Sequence, residues 1–296
     1  MAVNGENASA VGALDTRGEA GAAILAAIAG LLMLAAIAAA LNYRAKTTLL
    51  FARQTELAAQ HKHKAEAGVH LALARLIAND TRDLRYDGTA IEATFDGVTL
   101  KVAVQAERGK VNLNQSPNEV FRRLVLTVCA SEPLANQVAA ELADFVDADD
   151  DVRSDGLEAD GYAALGLAPP ANQHLQSIAE IRLLPGMTET LFVRLRPHIS
   201  VHAFNPAPEP RYASPFVRSI LGANSEAEPD APGDPGRAAG VYTITVTTIE
   251  AGRFFYRVDA LVYITADQAK PFIMLDWRRG FVEAPPQGPC SDARGA

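Results

Sequence analysis

The amino-acid sequence predicts an α+β fold, and three observations support this prediction. An uncharged run followed by an amphipathic pattern predicts one long helix over residues 20–79. Alternating apolar residues predict strands directly after this helix and again near the C-terminus. Between these two groups of strands, residues 113 to about 200 show helical periodicity. A helix, strands, a helical insert and further strands, in that order, are typical of the α+β class.

The first half of the predicted helix is apolar on all sides. Residues 20–41 form an uncharged run of 22 residues, which as a helix spans about 33 Å and is long enough to cross a bilayer core. A cleavable secretory signal has a basic start and a shorter apolar core, so we expect a membrane span instead. Arg17 precedes the run and three basic residues follow it, at 44, 46 and 53. Flanking charge alone favours a cytoplasmic C-terminal side, although long domains translocate regardless of charge.

Strand signals flank the helical insert. Val98, Leu100 and Val102 alternate with polar residues after an Asp96-Gly97 turn, which predicts a hairpin. The segments VYTITVTTI, RFFYRVDALVYI and FIMLDW predict the later strands. Residues 205–240 are rich in Pro, Gly, Ala and acidic residues and predict a linker or loop, and the last fourteen residues predict a disordered tail.

Composition and charge exclude several classes of function. A net charge of −8 over 296 residues argues against broad nucleic-acid binding. The two cysteines are too few for a disulfide framework or a zinc site; the sequence disfavours their pairing but leaves it open, because Cys129 lies in an apolar run and Cys290 in a Pro/Gly-rich tail. The segment HKHK (61–64) is typical of a solvated helix surface. With no catalytic constellation of residues, the sequence predicts that the protein is not an enzyme.

An acidic stretch supplies the strongest chemical signal. Eight carboxylates lie between Asp144 and Asp160, and like charges at this density require solvation or a cation. Counted from Asp147, acidic residues fall at positions 1, 3, 5 and 12 of a calcium loop, but Val152 replaces the Gly that an EF-hand has at position 6. We therefore expect a calcium loop of another geometry, the alternative being a solvated acidic surface loop. The candidate ligands are Asp147, Asp149, Asp150, Asp151, Glu158 and Asp160.

A helix-hairpin-helix outline follows the acidic stretch. Residues 177–197 predict a helix, a turn at Pro185-Gly186-Met187 and a second helix. Hairpins of this kind can hold DNA phosphates, usually with two glycines in the turn and basic neighbours. Between residues 114 and 202 there are six Lys or Arg against 13 Asp or Glu, a local net charge of −7 that repels phosphate. The hairpin is therefore predicted to be structural.

Three motifs together resemble one family, the minor pseudopilin K of the type II secretion system, also called general secretion pathway protein K. They are ERGKVNLNQSPNEVF (107–121), DFVDADDDVRSDGLEADGY (144–162) and IAEIRLLPGMTETLFVRLRPHISV (178–201), downstream of a Gly-ended leader and an apolar helix. The resemblance implies a pilin-like fold, in which a long N-terminal helix packs on an antiparallel sheet that carries a large all-helical insert. It also implies that the insert binds calcium.

The resemblance further implies processing of the N-terminus. A prepilin peptidase is expected to cut after Gly21 and to methylate the new N-terminal residue, Ala22; a cut after Gly18, leaving Glu19 first, is the alternative. Most pseudopilins carry Glu at the fifth mature position, whereas this chain has Ala there, at 26 or 23. K-type subunits also lack that Glu, as expected of a subunit with no neighbour above it.

These predictions divide the chain into seven parts. They are a leader peptide (1–21), the transmembrane part of the helix (22–43), the periplasmic part of the helix with the first strands (44–112), the calcium-binding insert (113–204), a linker (205–240), the remaining strands (241–282) and a tail (283–296).

The function that the resemblance implies is that of a minor pseudopilin at the tip of the pseudopilus. It would initiate or cap assembly and support protein export across the outer membrane. The expected partners are minor pseudopilins I and J (and H), the prepilin peptidase and the inner-membrane assembly platform, without nucleic acid. The expected location is the inner membrane, with one span and a periplasmic C-terminal domain. The alternatives are a membrane-anchored helix-hairpin-helix DNA receptor and a minor pilin of a type IV pilus.

Overall fold

The long N-terminal helix, α1, is continuous over Asp15–Ala78. The computed structural model describes residues 15–78, 84–222, 240–250, 252–282 and 290, so residues 1–14 of the predicted leader and most of the predicted tail lie outside the described residues. Both candidate processing sites, after Gly18 and after Gly21, lie within α1. The chain divides into two units, residues 1–60 and residues 61–296, which we describe separately.

The first unit contains the apolar part of α1. From Gly21 onward the helix is long and apolar enough to cross a membrane, with a mean hydropathy of 2.7 in its most apolar window. Large apolar side chains such as Leu25, Leu32 and Leu34 are more than half exposed. This apolar helix is compatible with a single-pass membrane anchor.

In the second unit the C-terminal part of α1 packs on a sheet. Its buried residues recur at three- and four-residue steps, as the sequence pattern predicts, and they contact strand residues in one apolar core. Helix and sheet approach closely at Gly68, where a Cβ atom would lie 2.9 Å from Val246 Cγ1. The buried helix residues are Ala65, Val69, Ala72, Leu73 and Leu76.

The sheet has five antiparallel strands in the order β1-β2-β5-β6-β7. The predicted hairpin is confirmed, because β1 and β2 pair across a turn in which Asp96 and Gly97 both have positive φ. The strands of this sheet are β1 (Asp87–Phe95), β2 (Val98–Ala106), β5 (Gly240–Glu250), β6 (Arg253–Ile264) and β7 (Phe272–Phe281).

The helical insert connects β2 to β5, two strands that are neighbours in the sheet. A second small sheet closes its base, where β3 (Val111–Asn112) pairs in parallel with β4 (Ile199–Ser200). The helices beyond it are α2 (Asn118–Cys129), α3 (Glu132–Val146), α4 (Ala159–Ala164), α5 (Glu189–Leu195) and α6 (Pro215–Leu221). They share a second apolar core that runs from Val111 to Ile220 and so extends past the predicted boundary at 204.

The first arm of the predicted helical hairpin differs from the sequence prediction. Residues Ile178–Leu183 form a 3₁₀ helix rather than an α-helix. Ser177 and Glu180 form a capping box at its start, and this pairing fixes a tight first turn in a segment too short to sustain an α-helix.

The motif at 107–121 forms the base of the insert. Glu107 and Lys110 are buried and form an ion pair of 2.6 Å, and Thr243 of β5 donates a hydrogen bond of 2.6 Å to Glu107. The side-chain amide of Asn112 donates a hydrogen bond to the Ala203 carbonyl. The motif therefore joins the two ends of the insert to each other and to the sheet.

The prediction that residues 61–64 form a solvated surface is wrong for His61. Its side chain is buried, its Nε2 lies 2.9 Å from Glu250 Oε2, and its ring lies 4.3 Å from that of Phe255. His63, two residues on, leaves the helix on another face and is exposed.

The two cysteines form a disulfide, the pairing that the sequence disfavoured. Cys290 is buried in the core of the insert and is bonded to Cys129 at the end of α2. The predicted disordered tail is therefore wrong at this residue. The bond connects positions 161 residues apart, so no local sequence pattern could indicate the pairing.

Loss of the disulfide should destabilise the protein. We expect the double variant Cys129→Ala/Cys290→Ala to lose about 2–4 kcal/mol of unfolding free energy, because the bond limits the entropy of the unfolded chain. Denaturant unfolding of the full chain in detergent measures this loss. Reductant should shift the wild type to the stability of the variant and leave the variant unchanged; a wild type insensitive to reductant would contradict the prediction.

His198 should make stability depend on pH. Burial, with a smaller contribution from Lys110, lowers the pKa of His198 to about 4; its Nδ1 is buried and its ring lies 4.4 Å from that of Phe216. Because the unfolded chain binds this proton at a higher pH than the folded chain, stability falls as the pH drops from 6.5 towards 4.

We expect His198→Gln to remove about 2 kcal/mol of the stability difference between pH 7 and pH 4.5. Urea unfolding at the two pH values provides the measurement. The exposed His63→Gln is the matched control and should retain the wild-type difference. A His198→Gln variant with an unchanged pH dependence would refute the assignment.

Candidate metal centre

The acidic loop, defined here as residues 147–158, connects α3 to α4. Helix α3 ends at Val146, and the Asp147 N–H still bonds to the Ala143 carbonyl at 3.2 Å. Glu158 occupies the position before the first residue of α4. The loop thus begins and ends at helix termini of the insert, which positions Asp147 and Glu158, the predicted ligands at its two ends.

The six predicted ligands have different environments. Glu158 is buried and Asp147 is half-buried, whereas the other four are exposed. Asp149 accepts a hydrogen bond of 3.1 Å from the Asp151 N–H, which orders the middle of the loop. Asp160 lies in the first turn of α4.

Glu158 is the focus of the negative charge. Its side chain is 4% exposed, and in the described part of the chain neither carboxylate oxygen has a hydrogen-bond partner. Burial raises the pKa of Glu158, and the charges of four aspartates raise it further. These are Asp144, Asp147, Asp150 and Asp149. The structure therefore brings Asp147, Asp149, Asp150 and Glu158 into one electrostatic cluster.

Two residues that were not predicted as ligands, Asp144 and Asn172, add to this cluster. Asp144, in the last turn of α3, is fully buried and contacts Arg153. Asn172 donates to Asp150 Oδ1 at 3.2 Å, and its own Oδ1 is buried without a partner among the described residues. Asp144 was detectable, because it lies three residues before Asp147 on a predicted helix; no sequence signal indicated Asn172.

Tyr162 lies beneath the loop. Burial raises the pKa of Tyr162 well above its usual value, and Glu141, Asp144 and Glu158 add to the effect. Its hydroxyl is buried with no hydrogen-bond partner among the residues that the structure describes. A phenol oxygen and several carboxylate oxygens thus share one region from which water is largely excluded.

The donor chemistry of this region fits a hard cation. Carboxylate and amide oxygens are the ligands that calcium prefers, and buried carboxylate oxygens without partners are costly unless a cation or a proton satisfies them. Within the described ranges, however, no three His, Cys, Asp or Glu side chains are close enough together to hold a metal ion. The residues present suit calcium in type, and the loop would have to contract to bind it.

The turn of the helical hairpin is hydrogen-bonded to a side chain of the insert itself. The Gly186 N–H donates a hydrogen bond of 2.8 Å to Glu141 Oε2, and a Cβ at Gly186 would lie 2.9 Å from Val138 Cγ2. Burial raises the pKa of Glu141, although its bonds from Gln137 and Gly186 oppose this. The N–H that a DNA-binding hairpin turns towards phosphate is here bonded to a carboxylate of α3.

Part of the chain is similar to the family that the motifs resemble. Residues 99–204 match the family described as type II secretion system (T2SS), protein K. This range includes the base of the insert, the acidic loop and the hairpin.

Individual relatives match over part of their length. The type II secretion system protein K of Klebsiella pneumoniae is 40% identical over 28% of this chain and 26% of its own length. That of Pectobacterium carotovorum is 34% identical over 28% of this chain and 26% of its own length. A putative protein K of Escherichia coli K12 is 27% identical over 61% of this chain and 62% of its own length. The chain thus spans about a quarter of two of these relatives and less than two thirds of the third.

A solved structure shares the fold. A chain in the crystal structure of the GspK–GspI–GspJ complex from the type 2 secretion system of enterotoxigenic E. coli matches with a TM-score of 0.50 and 16% identity, over 77% of this chain and 97% of that chain. This likeness confirms the predicted pilin-like α+β fold, with a long helix, an antiparallel sheet and an inserted helical region. Residues 99–204 therefore match the type II secretion system protein K family, and the chain shares the fold of the matched structure.

Proposed function

We propose that this chain acts at the tip of a type II secretion pseudopilus, where it initiates or caps assembly and so supports export across the outer membrane. The observation that carries the proposal is the insert that matches protein K. It lies in the connection between β2 and β5, two paired strands of a sheet that packs against a helix. An ordinary hairpin connection between these strands would add little bulk at this end of the sheet. The large insert would prevent another subunit from stacking at this end. The chain itself carries out no catalysis in this role.

The apolar helix would provide both the anchor and the assembly surface. Its side chains between residues 21 and 56 are exposed, so lipid or partner helices have to cover them. Partner helices that cover this surface stabilise the complex by about 25 cal/mol per Å² of apolar area. The matched structure contains GspI and GspJ, and we propose the corresponding minor pseudopilins I and J, with H, as partners. Cleavage and methylation by a prepilin peptidase, and extraction by the inner-membrane platform, would precede assembly.

The disulfide supports a periplasmic location for the C-terminal region. Disulfides form and persist in oxidising compartments such as the bacterial periplasm. The Cys129–Cys290 bond therefore favours translocation of everything after the anchor. This outweighs the count of flanking positive charges, because long domains translocate largely regardless of charge.

Calcium would stabilise the insert. Glu158, with two unpartnered oxygens, and the four neighbouring aspartates repel one another. A divalent cation among them would neutralise the repulsion and connect the two ends of the acidic loop. Of the predicted ligands, Asp147, Asp149, Asp150 and Glu158 have the strongest structural support, because the charges of these three aspartates raise the pKa of Glu158. The role of the ion is structural.

The partner proposal is tested by copurification. We expect the full chain in detergent to form a stable complex with minor pseudopilins I and J of the same organism, detected by size-exclusion chromatography. The same assay with minor pilins of a type IV pilus serves as the comparison, and a gel shift at low salt tests the DNA receptor. Binding to the type IV pilins or tightly to DNA, without a complex with I and J, would overturn the proposal.

The calcium proposal is tested by thermal unfolding. Calcium at about 100 times its dissociation constant should stabilise the wild type by about 2.7 kcal/mol relative to chelator. Glu158→Gln should abolish this gain and, in chelator, should be at least as stable as the wild type, because a buried charge is removed. Glu189→Gln, which removes an exposed carboxylate of the same insert, should retain the gain. Identical wild-type melting curves in calcium and in chelator would refute calcium binding.

A further inference from the structure

Arg153 contacts both a buried aspartate and a predicted calcium ligand. Asp144 Oδ1 accepts a hydrogen bond of 2.6 Å from Arg153 Nη1, and Asp144 Oδ2 accepts one of 3.2 Å from the Arg153 backbone N–H. The same Nη1 also contacts Asp147 Oδ2. One guanidinium group thus bridges the last turn of α3 and the first residue of the acidic loop.

The two aspartates depend on this contact to different degrees. Asp144 has no exposed side-chain surface, and Arg153 bonds to both of its oxygens. Asp147 is partly exposed, and its second oxygen, Oδ1, has no hydrogen-bond partner in the described part of the chain. Asp147 can therefore exchange Arg153 for another cation, whereas Asp144 would be left buried and uncompensated.

The backbone is fitted to this arrangement. A Cβ atom at Gly156 would lie 2.0 Å from Asp144 Oδ2 and 3.2 Å from the Arg153 carbonyl oxygen. The loop thus folds back against Asp144 at a glycine, and Arg153 is positioned from within the loop. Its side chain is 43% exposed, so the guanidinium group has room to move outwards from Asp147 while it remains bonded to Asp144.

We propose that Arg153 is a built-in counter-cation that competes with calcium for Asp147. Without calcium it neutralises Asp144 and Asp147 and keeps the acidic loop folded. Calcium would compete with Arg153 for Asp147, and Arg153 would remain on Asp144. This inference rests on the calcium binding proposed above. It implies that the loop is folded without the metal, and that its calcium affinity is lower than its carboxylates alone would give.

The competition is tested by calcium titration of the full chain in detergent, by isothermal titration calorimetry. We expect Arg153→Gln to bind calcium about tenfold more tightly than the wild type, because a positive charge that competes for a ligand is removed. In chelator the same variant should melt at a lower temperature than the wild type, since Asp144 loses the guanidinium group and keeps only the bond from the backbone N–H of residue 153. The two changes have opposite signs, which a merely structural role for Arg153 would not produce.

Two further variants complete the test. Arg153→Lys retains the charge but presents a single ammonium group instead of a planar fork, so its calcium affinity should stay within about threefold of the wild type, while its melting temperature in chelator falls. This variant also decides the matter if Arg153→Gln does not fold, since a tenfold tighter affinity for Arg153→Lys would overturn the competition. Arg182→Gln removes an exposed arginine of the insert that pairs with Glu189 and should leave both quantities unchanged.

The outcomes separate the two proposals. Calcium binding by the wild type with equal or weaker binding by Arg153→Gln overturns the competition and leaves the calcium proposal intact. No binding by the wild type but clear binding by Arg153→Gln overturns the proposal that the native insert binds calcium, while it supports competition by Arg153 for Asp147. No binding by any variant overturns both.

Discussion

The structure depends on a constraint at the base of the insert, where the chain must leave the sheet and return to it at the same point. β2 and β5 are hydrogen-bonded neighbours, so a whole helical domain has to begin and end within one strand spacing. The parallel pairing of Val111 with Ile199 and of Asn112 with Ser200 meets this requirement. The buried ion pair of Glu107 and Lys110 adds charge-assisted bonds at the same level. Removal of one partner of such a pair leaves an uncompensated buried charge. We therefore expect substitutions at this base to destabilise the protein more than substitutions in the loops above it.

Three further contacts tie the insert to the C-terminal part of the chain. Cys290, which follows β7 in sequence, is bonded to Cys129 of the insert, and its carbonyl accepts a hydrogen bond from Thr188. Arg196, just after α5, lies 3.3 Å from Asp259 of β6. The insert is therefore held at its base, through the disulfide and through an ion pair to the sheet.

The sequence predicted those parts of the fold that local patterns determine. The alternation of Val98, Leu100 and Val102 and the Asp96-Gly97 turn specify a hairpin directly, and the structure contains it. Features that depend on distant residues were missed, because no local pattern encodes them. His61 is buried only because Glu250 and Phe255 of the sheet lie against it. The candidate site shows the same division: spacing indicated the acidic loop, whereas Asn172 reaches it from a separate segment.

Three buried carboxylates in the insert show why this loop, rather than another acidic position, is the candidate site. Glu141 is satisfied by Gln137 and by the Gly186 N–H, and Asp144 is satisfied by Arg153. Glu158 is equally buried, yet in the described part of the chain its oxygens have no hydrogen-bond partner. Burial and the neighbouring aspartates raise the pKa of Glu158, and a cation among these carboxylates would compensate its charge. The neighbouring aspartates oppose ionisation of Glu158 while it is alone, and the same aspartates would supply further oxygens once a divalent ion is present. The feature that makes the loop unfavourable without a metal is therefore the one that would make it selective for a hard cation.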